Sequence, residues 1–372
     1  MSLLPQSRRL PANAAALFTV GFLAFLLLGL AQAGYGPAFV RFEQQFKVST
    51  AAVAGISSAH FFGSALGPVV LGALLLRWPL RASVMAGSAV FALGLLGLVF
   101  APIWPLALAA AFFVGLGFGA LSGGFNAAFA TLGAGPSSLI NAMFGIGAVA
   151  APLLALGLGA YPGPFVLTAV LALGLTVSLR SVRVWPAQRA ELAASPVAWR
   201  RVGLFALLFF TYVGIEAGLG SWAPTHLKQI GNAHPEVVTS AYWLALTAGR
   251  LGFAAFGSRL TPHRVVLSCV GLALLGLALL AVPALVVAGY LMVGVAAAPV
   301  FPTLLAWFAA RFPARVSPLM LTAGSLGGAV IPALIGVLVA RFGVQAIPLA
   351  VAIDAAALGA LALVARRKLG GR

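Results

Sequence analysis

Acidic side chains are nearly absent from this chain, with five Asp and Glu in 372 residues, and only 7% of positions carry any charge. A surface meant for water cannot be built from that composition, because soluble domains are about 25% charged. There is a single cysteine, Cys269, so no internal disulfide can form, and a small buried apolar role fits it. No grouping of His, Cys, Asp or Glu has metal-ligand or nucleophile–base spacing, which argues against an enzyme and against a resident cofactor or metal.

What the chain has instead is apolar length, since 62% of it is hydrophobic. A helix needs about 20 apolar residues to cross a bilayer. Twelve such runs occur: 14–37, 49–76, 82–101, 104–132, 137–160, 164–182, 201–226, 237–258, 264–282, 284–310, 318–339 and 344–365. They predict an all-α integral membrane protein of twelve transmembrane helices with short connections.

The net charge of +17 does not point to nucleic acid, because the Lys and Arg residues follow the topology. With the N-terminus placed in the cytoplasm, 17 of the 22 basic residues fall inside, among them Arg77, Arg81, Arg180, Arg201, Arg264, Arg311, Arg366 and Arg367. Outside remain Arg41, Lys47, Lys228 and Arg341, while Arg250 lies within a span. This asymmetry is the positive-inside rule, and it predicts a multi-pass protein of the inner (plasma) membrane with both termini cytoplasmic. The first run also resembles a signal peptide ending in Ala-Gln-Ala. Cleavage there would leave eleven spans and break the charge pattern, so it is read as a retained span.

The chain also repeats itself. "GYGPAFV" aligns with "GSWAPTHL" through Pro37 and Pro224, an offset of 187, which sets Gly29 opposite Glu216. "FFVGLGFGA" matches "YLMVGVAAA", and "FGIGAVAAP" matches "GSLGGAVIP". With "GSALGPVVLGALLLRWPLR" opposite "ALTAGRLGFAAFGSRLTPHR", order and spacing persist through four span pairs, so the chain reads as two pseudo-symmetric six-helix halves: 1–183, a basic cytoplasmic linker 184–201, and 202–372.

Two parallel six-span halves joined by a basic loop resemble the major facilitator superfamily along the whole chain. In that family the loop after the second span usually reads Gly-x-x-x-Asp-Arg-x-Gly-Arg-Arg. "GALLLRWPLR" keeps Gly72, Arg77 and Arg81 but has Leu76 where the acid belongs. Four fragments, "YVGIEAGLGSW", "YWLALTAGR", "NAMFGIGAVAAP" and "APVFPTLLA", are similar to the fucose:proton symporter and its sugar-transporting relatives. That resemblance implies movement of a small-molecule substrate by alternating access, often with a proton as coupling ion. The acids of the symporter's first and fourth spans are missing here, where Gln32 and Asn126 are the strongest polar groups.

Three formal charges lie deep within spans: Glu216, Arg250 and Asp354. A charge at mid-membrane costs at least ~2.5 kcal/mol, so it ordinarily faces a partner or a cavity. At ~1.5 Å per residue Glu216 and Arg250 reach similar depths, which makes an ion pair between the seventh and eighth spans feasible. Such a pair either changes with transport, making Glu216 a proton or substrate site, or is a static packing device. Asp354 lies on the twelfth span, which the resemblance makes peripheral, and reads as packing against polar neighbours or as partly protonated. Tyr212 shares a helical face with Glu216, Trp222 lies toward the outer mouth, and Tyr242, Trp243 and Thr247 belong to the Arg250 span. Gln32, Tyr35, His60, Asn126 and Asn141 are the candidates in the first half. Rings with a polar tip and amides suit a hydroxyl-rich ligand such as a sugar.

Glycine and proline carry the expected mechanics. Gly145, Gly147 and Pro152 in the fifth span and Gly327 and Pro332 in the eleventh are expected seams. Pro224, Pro299 and Pro302 are expected bends. The sequence thus predicts a monomeric secondary transporter in the lipid bilayer for a small polar solute. A drug or metabolite efflux pump of the same fold, or a uniporter, is the alternative.

Overall fold

The computed structural model describes residues 14–182, 185, 197–256, 260–313 and 316–369. Twelve long helices account for nearly all of them. In the first half these are α1 (Ala14–Phe46), α2 (Gly55–Leu75), α3 (Leu80–Val99), α4 (Trp104–Ala130), α5 (Ala134–Leu158) and α6 (Gly163–Ser178). The second half holds α7 (Trp199–Gln229), α8 (Pro235–Phe256), α9 (Pro262–Leu279), α10 (Val286–Ala297 and Val300–Ala309), α11 (Ser317–Phe342) and α12 (Ala346–Leu369). A four-residue turn of helix, Thr50–Val53, leads into α2, its first turn capped by the Ser49 hydroxyl. The linker proposed for 184–201 lies mostly outside the described residues.

Helix is the outcome that apolar, bilayer-length runs dictate, because it satisfies every backbone group within its own segment. Eleven of the segments are long and apolar enough to span a membrane. The remaining one, α8, is 22 residues long and more polar, carrying Glu236, Thr239, Ser240, Thr247 and Arg250. Two helices outrun the apolar runs that predict them. α1 continues to Phe46 rather than ending at Pro37, and α7 continues to Gln229. An internal proline removes one backbone hydrogen bond without preventing continuation. The polar residues that follow, Arg41 to Gln45 and Lys228 to Gln229, include good helix formers.

The packing reproduces the repeat. α1 packs on α5 and α2 on α4, while in the second half α7 packs on α11 and α8 on α10; likewise α3–α6 answers α9–α12. At matching points of the two halves a glycine lies against a neighbouring backbone. A Cβ on Gly147 would run into the Leu26 carbonyl, and one on Gly327 into the Phe210 carbonyl. Small residues let the helices approach this closely. α5 and α11 also end alike, in Gly159 (φ 77°) and Gly343 (φ 79°), left-handed positions that favour glycine.

The halves meet along α1–α7, α2–α11 and α5–α8. In the second seam Ser58 donates to the Ala329 carbonyl at 2.6 Å, Thr322 to the Ala65 carbonyl at 3.2 Å, and Ser64 and Ser325 are 3.4 Å apart. In the third, the Ser240 hydroxyl bonds the Val149 carbonyl and Thr247 packs on Gly145. At the far end from the chain termini Gly36 lies on the Ser221 backbone and Trp222 on Phe39. The seam is therefore closed on that face.

Candidate transport site

Tyr212 and Glu216 sit one turn apart on α7, so both project toward α8. There the Tyr212 hydroxyl donates to Glu216 Oε2 at 2.6 Å. Arg250 Nη2 donates to the same carboxylate oxygen at 2.7 Å and to the Tyr212 oxygen at 2.9 Å. The three side chains close a triangle. Tyr242 hydroxyl approaches the Glu216 backbone carbonyl at 3.4 Å, and Phe301, just past the break in α10, leans on the Tyr212 ring. This is the ion pair among the described residues, and it lies well inside both helices.

The pair is asymmetric in exposure. The Glu216 side chain is 9% exposed and that of Arg250 28%.

The other sequence candidates divide. Trp243 packs on Gly220 and edge-on to Tyr242, so it belongs to the α7–α8 face. Thr247, one turn before Arg250, spends its hydroxyl on the Trp243 carbonyl and its side chain on the seam with Gly145. Trp222 turns away from Glu216: its indole N–H donates to the Pro332 carbonyl at 2.9 Å, which makes it part of the closed seam. In the first half Asn141 donates to Asn126 at 3.2 Å and to the Ser137 carbonyl at 2.8 Å, and Asn126 donates to Ser122 at 3.3 Å. Gln32 is half-buried on α1. His60 is fully buried in an aromatic box of Tyr35, Phe61 and Phe118, with its Nδ1 3.3 Å from the Tyr35 hydroxyl.

Asp354 is 7% exposed, and its carboxyl lies beside Gly214 and Ile331 with Oδ2 unpartnered. Among the described residues no polar neighbour bonds that oxygen. Cys269 is buried, and it lines a small apolar cavity inside the second half together with Ile215, Val293, Ala297 and Leu358.

Of the expected bends, Pro299 sits in a real interruption, where α10 breaks between Ala297 and Val300, and Pro302 lies in the first turn of the second piece. Pro152, Pro224 and Pro332 lie inside continuous helices. Around the short loop between α2 and α3, Gly72 in the last turns of α2 has open space around it, Leu76 is 85% exposed, and Arg81 in the first turn of α3 donates to the Arg180 carbonyl at 2.8 Å. That last bond places a cation where the chain leaves α6, a favourable position for a helix C-terminus. The Ser58, Ser64, Thr322 and Ser325 seam escaped sequence reasoning. Its only signal was hydroxyl residues six apart on α2 and three apart on α11, in otherwise small-residue helices.

The model of the Major Facilitator Superfamily matches residues 21–317. The chain belongs to that superfamily. It is a transporter, not an enzyme, and a multi-pass membrane protein. Among solved structures it is similar to the nucleoside transporter NupG, with a TM-score of 0.72 at 15% identity over 96% of this chain and 99% of that one. The E. coli fucose:proton symporter FucP gives 0.66 at 16% identity, covering 94% and 98%. The human organic anion transporter MFSD10 gives 0.70 at 17%, covering 94% and 99%. No protein of curated function matches the sequence. The three carry different cargo on one fold, so the fold selects a mechanism and leaves substrate to the site.

Proposed function

We propose that this superfamily member is a proton-coupled secondary transporter that moves a small polar, sugar-like solute by alternating access, with Glu216 as the proton site. The observation that carries this is the triangle of Glu216, Arg250 and Tyr212. It is a carboxylate deep in the membrane, held by two donors at 2.6 and 2.7 Å on neighbouring helices. An intramembrane acid is costly and ordinarily functional. Here its charge is tied to the position of α8, which also forms the seam with α5. Protonating Glu216 removes the attraction that holds Arg250, and relieves α8 of one constraint on moving against α7.

The fucose:proton symporter among the similar structures supports the proton and sugar reading. The chain works as a monomer in this reading, since its two halves alone form the seam. Residues 1–183 and 202–372 are the two rocking units, and 184–201 is the tether between them. The Lys and Arg asymmetry supports an inner-membrane orientation with both termini cytoplasmic.

Purified protein in liposomes tests it: an inwardly directed proton gradient should drive accumulation of solutes from a panel of sugars and nucleosides. Flux that only equilibrates would make the protein a uniporter. Proton-driven extrusion of lipophilic solutes would make it an efflux pump.

A further inference from the structure

Arg250 uses only one of its three nitrogens on the protein. Nη2 makes both bonds, to Glu216 and Tyr212, while Nε and Nη1 meet no acceptor among the described residues. Guanidinium carries five donors in a fixed fork that matches a carboxylate. On the same face of α8, two turns away, the Trp243 indole N–H is also buried without an acceptor. Across the α5–α8 seam, Ser240 meets Val149 and Thr247 meets Gly145. The site therefore holds spare donors, and Glu216 is the acid at it.

Charge bookkeeping then restricts the cargo. With Glu216 ionised the pair is neutral overall. Once a proton neutralises Glu216, the guanidinium, only 28% exposed, is left as a largely buried cation with no countercharge, which is unfavourable. A neutral sugar does not relieve this; an anion does. We infer that the cargo is a small monoanion, a hydroxylated carboxylate, whose carboxylate docks on the free edge of Arg250 while the proton sits on Glu216, so that the two load as a neutral pair. This rests on Glu216 being the proton site. Binding of either partner then favours the other by the same factor.

Among the described residues no competing countercharge faces the pair. Facing Glu216 are Tyr212 on its own helix and Tyr242 and Arg250 on α8. α12 presents Asp354, but to Gly214 on another face of α7. Tyr290 of α10 is bonded to His226 nearer the helix end, and Tyr35 of α1 to His60. α11 presents no titratable group there among the described residues.

Two arms test the inference. In the first, the melting temperature of purified protein is titrated with acetate at constant ionic strength. Glu216→Gln, which leaves Arg250 without a countercharge, should be stabilised with a midpoint at least about tenfold below that of the wild type, since tenfold is only about 1.4 kcal/mol of differential binding. The effect should vanish in Glu216→Gln, Arg250→Ala. An equal midpoint, or an effect that survives without Arg250, overturns the anion site. In the second arm, D-glucuronate, D-glucose and D-glucosamine are offered to wild-type proteoliposomes. Proton-driven uptake of glucuronate over the other two supports the inference. Proton-driven uptake of glucose or glucosamine overturns it while leaving Glu216 as the proton site. Glucuronate counterflow without proton drive does the reverse. Where none of the three is carried, the acetate arm decides.

Discussion

Trp222 on α7 and Phe39 on α1 lie edge to face, ring centroids 5.1 Å apart at 64°. They bring the two halves together on the face away from the chain ends. The Trp222 indole is anchored from a third helix by the Pro332 carbonyl, so one residue ties α1, α7 and α11 together. One turn before Phe39, Gly36 lies against the Ser221 backbone. This is the close approach that allows the rings to meet.

Adding a methyl at Gly36 should therefore wedge this seam apart, because its Cβ would collide with backbone atoms of Ser221 that cannot rotate away. Spin labels at 44 and 341, in a Cys269→Ser background, should show a new, longer distance population in Gly36→Ala. An unchanged distribution would mean that the contact is too loose to gate.

Removing Arg250 leaves a buried carboxylate without its cation, the costly half of a broken pair. Arg250→Ala should lose about 3 kcal/mol of stability, at the lower end of the range because the guanidinium is partly exposed. The Glu216→Gln, Arg250→Ala double variant should lose less than the sum of its parts by more than about 0.5 kcal/mol, measured by denaturation in detergent. Strict additivity would mean that the 2.7 Å contact contributes nothing.

How much of this the sequence disclosed follows from what is periodic and what is not. The twelve spans, the two halves and the Glu216–Arg250 pairing were legible because apolar length and rare charges stand out in such a composition. Trp222 was read as facing the mouth of the site, since an aromatic six residues past an acid gives no hint that a carbonyl on α11 will hold it. The hydroxyl seam of Ser58, Ser64, Thr322 and Ser325 was invisible for a similar reason. Serine on a small-residue helix bonds whichever backbone arrives, and which one arrives depends on how the two halves dock. The continuation of α1 past Pro37 was misjudged because apolar length marks the membrane, not the helix.

Orientation has a direct test. Single cysteines at Ala233, in the turn before α8, and at Leu76, in the exposed loop after α2, are placed in a Cys269→Ser background. If the chain termini are cytoplasmic, a membrane-impermeant maleimide added to intact cells should label the cysteine at position 233 and spare the one at 76. The reverse pattern would invert the topology drawn from the Lys and Arg residues.

The role of Glu216 separates most cleanly in Glu216→Gln, which imitates the neutral acid. A proton site predicts that uphill accumulation is abolished, because no proton can load. Counterflow or downhill flux persists, because the barrier to exchange no longer waits on protonation. A packing role predicts something else: glutamine still accepts from Tyr212 and Arg250, so stability falls modestly and every transport mode declines together. Both modes can be measured on one purified variant in the same liposomes. Full proton-driven accumulation by Glu216→Gln would move coupling elsewhere. Among the other buried titratable groups within the spans, Asp354 beside Gly214 and His60 beside Tyr35 would then be the next to replace.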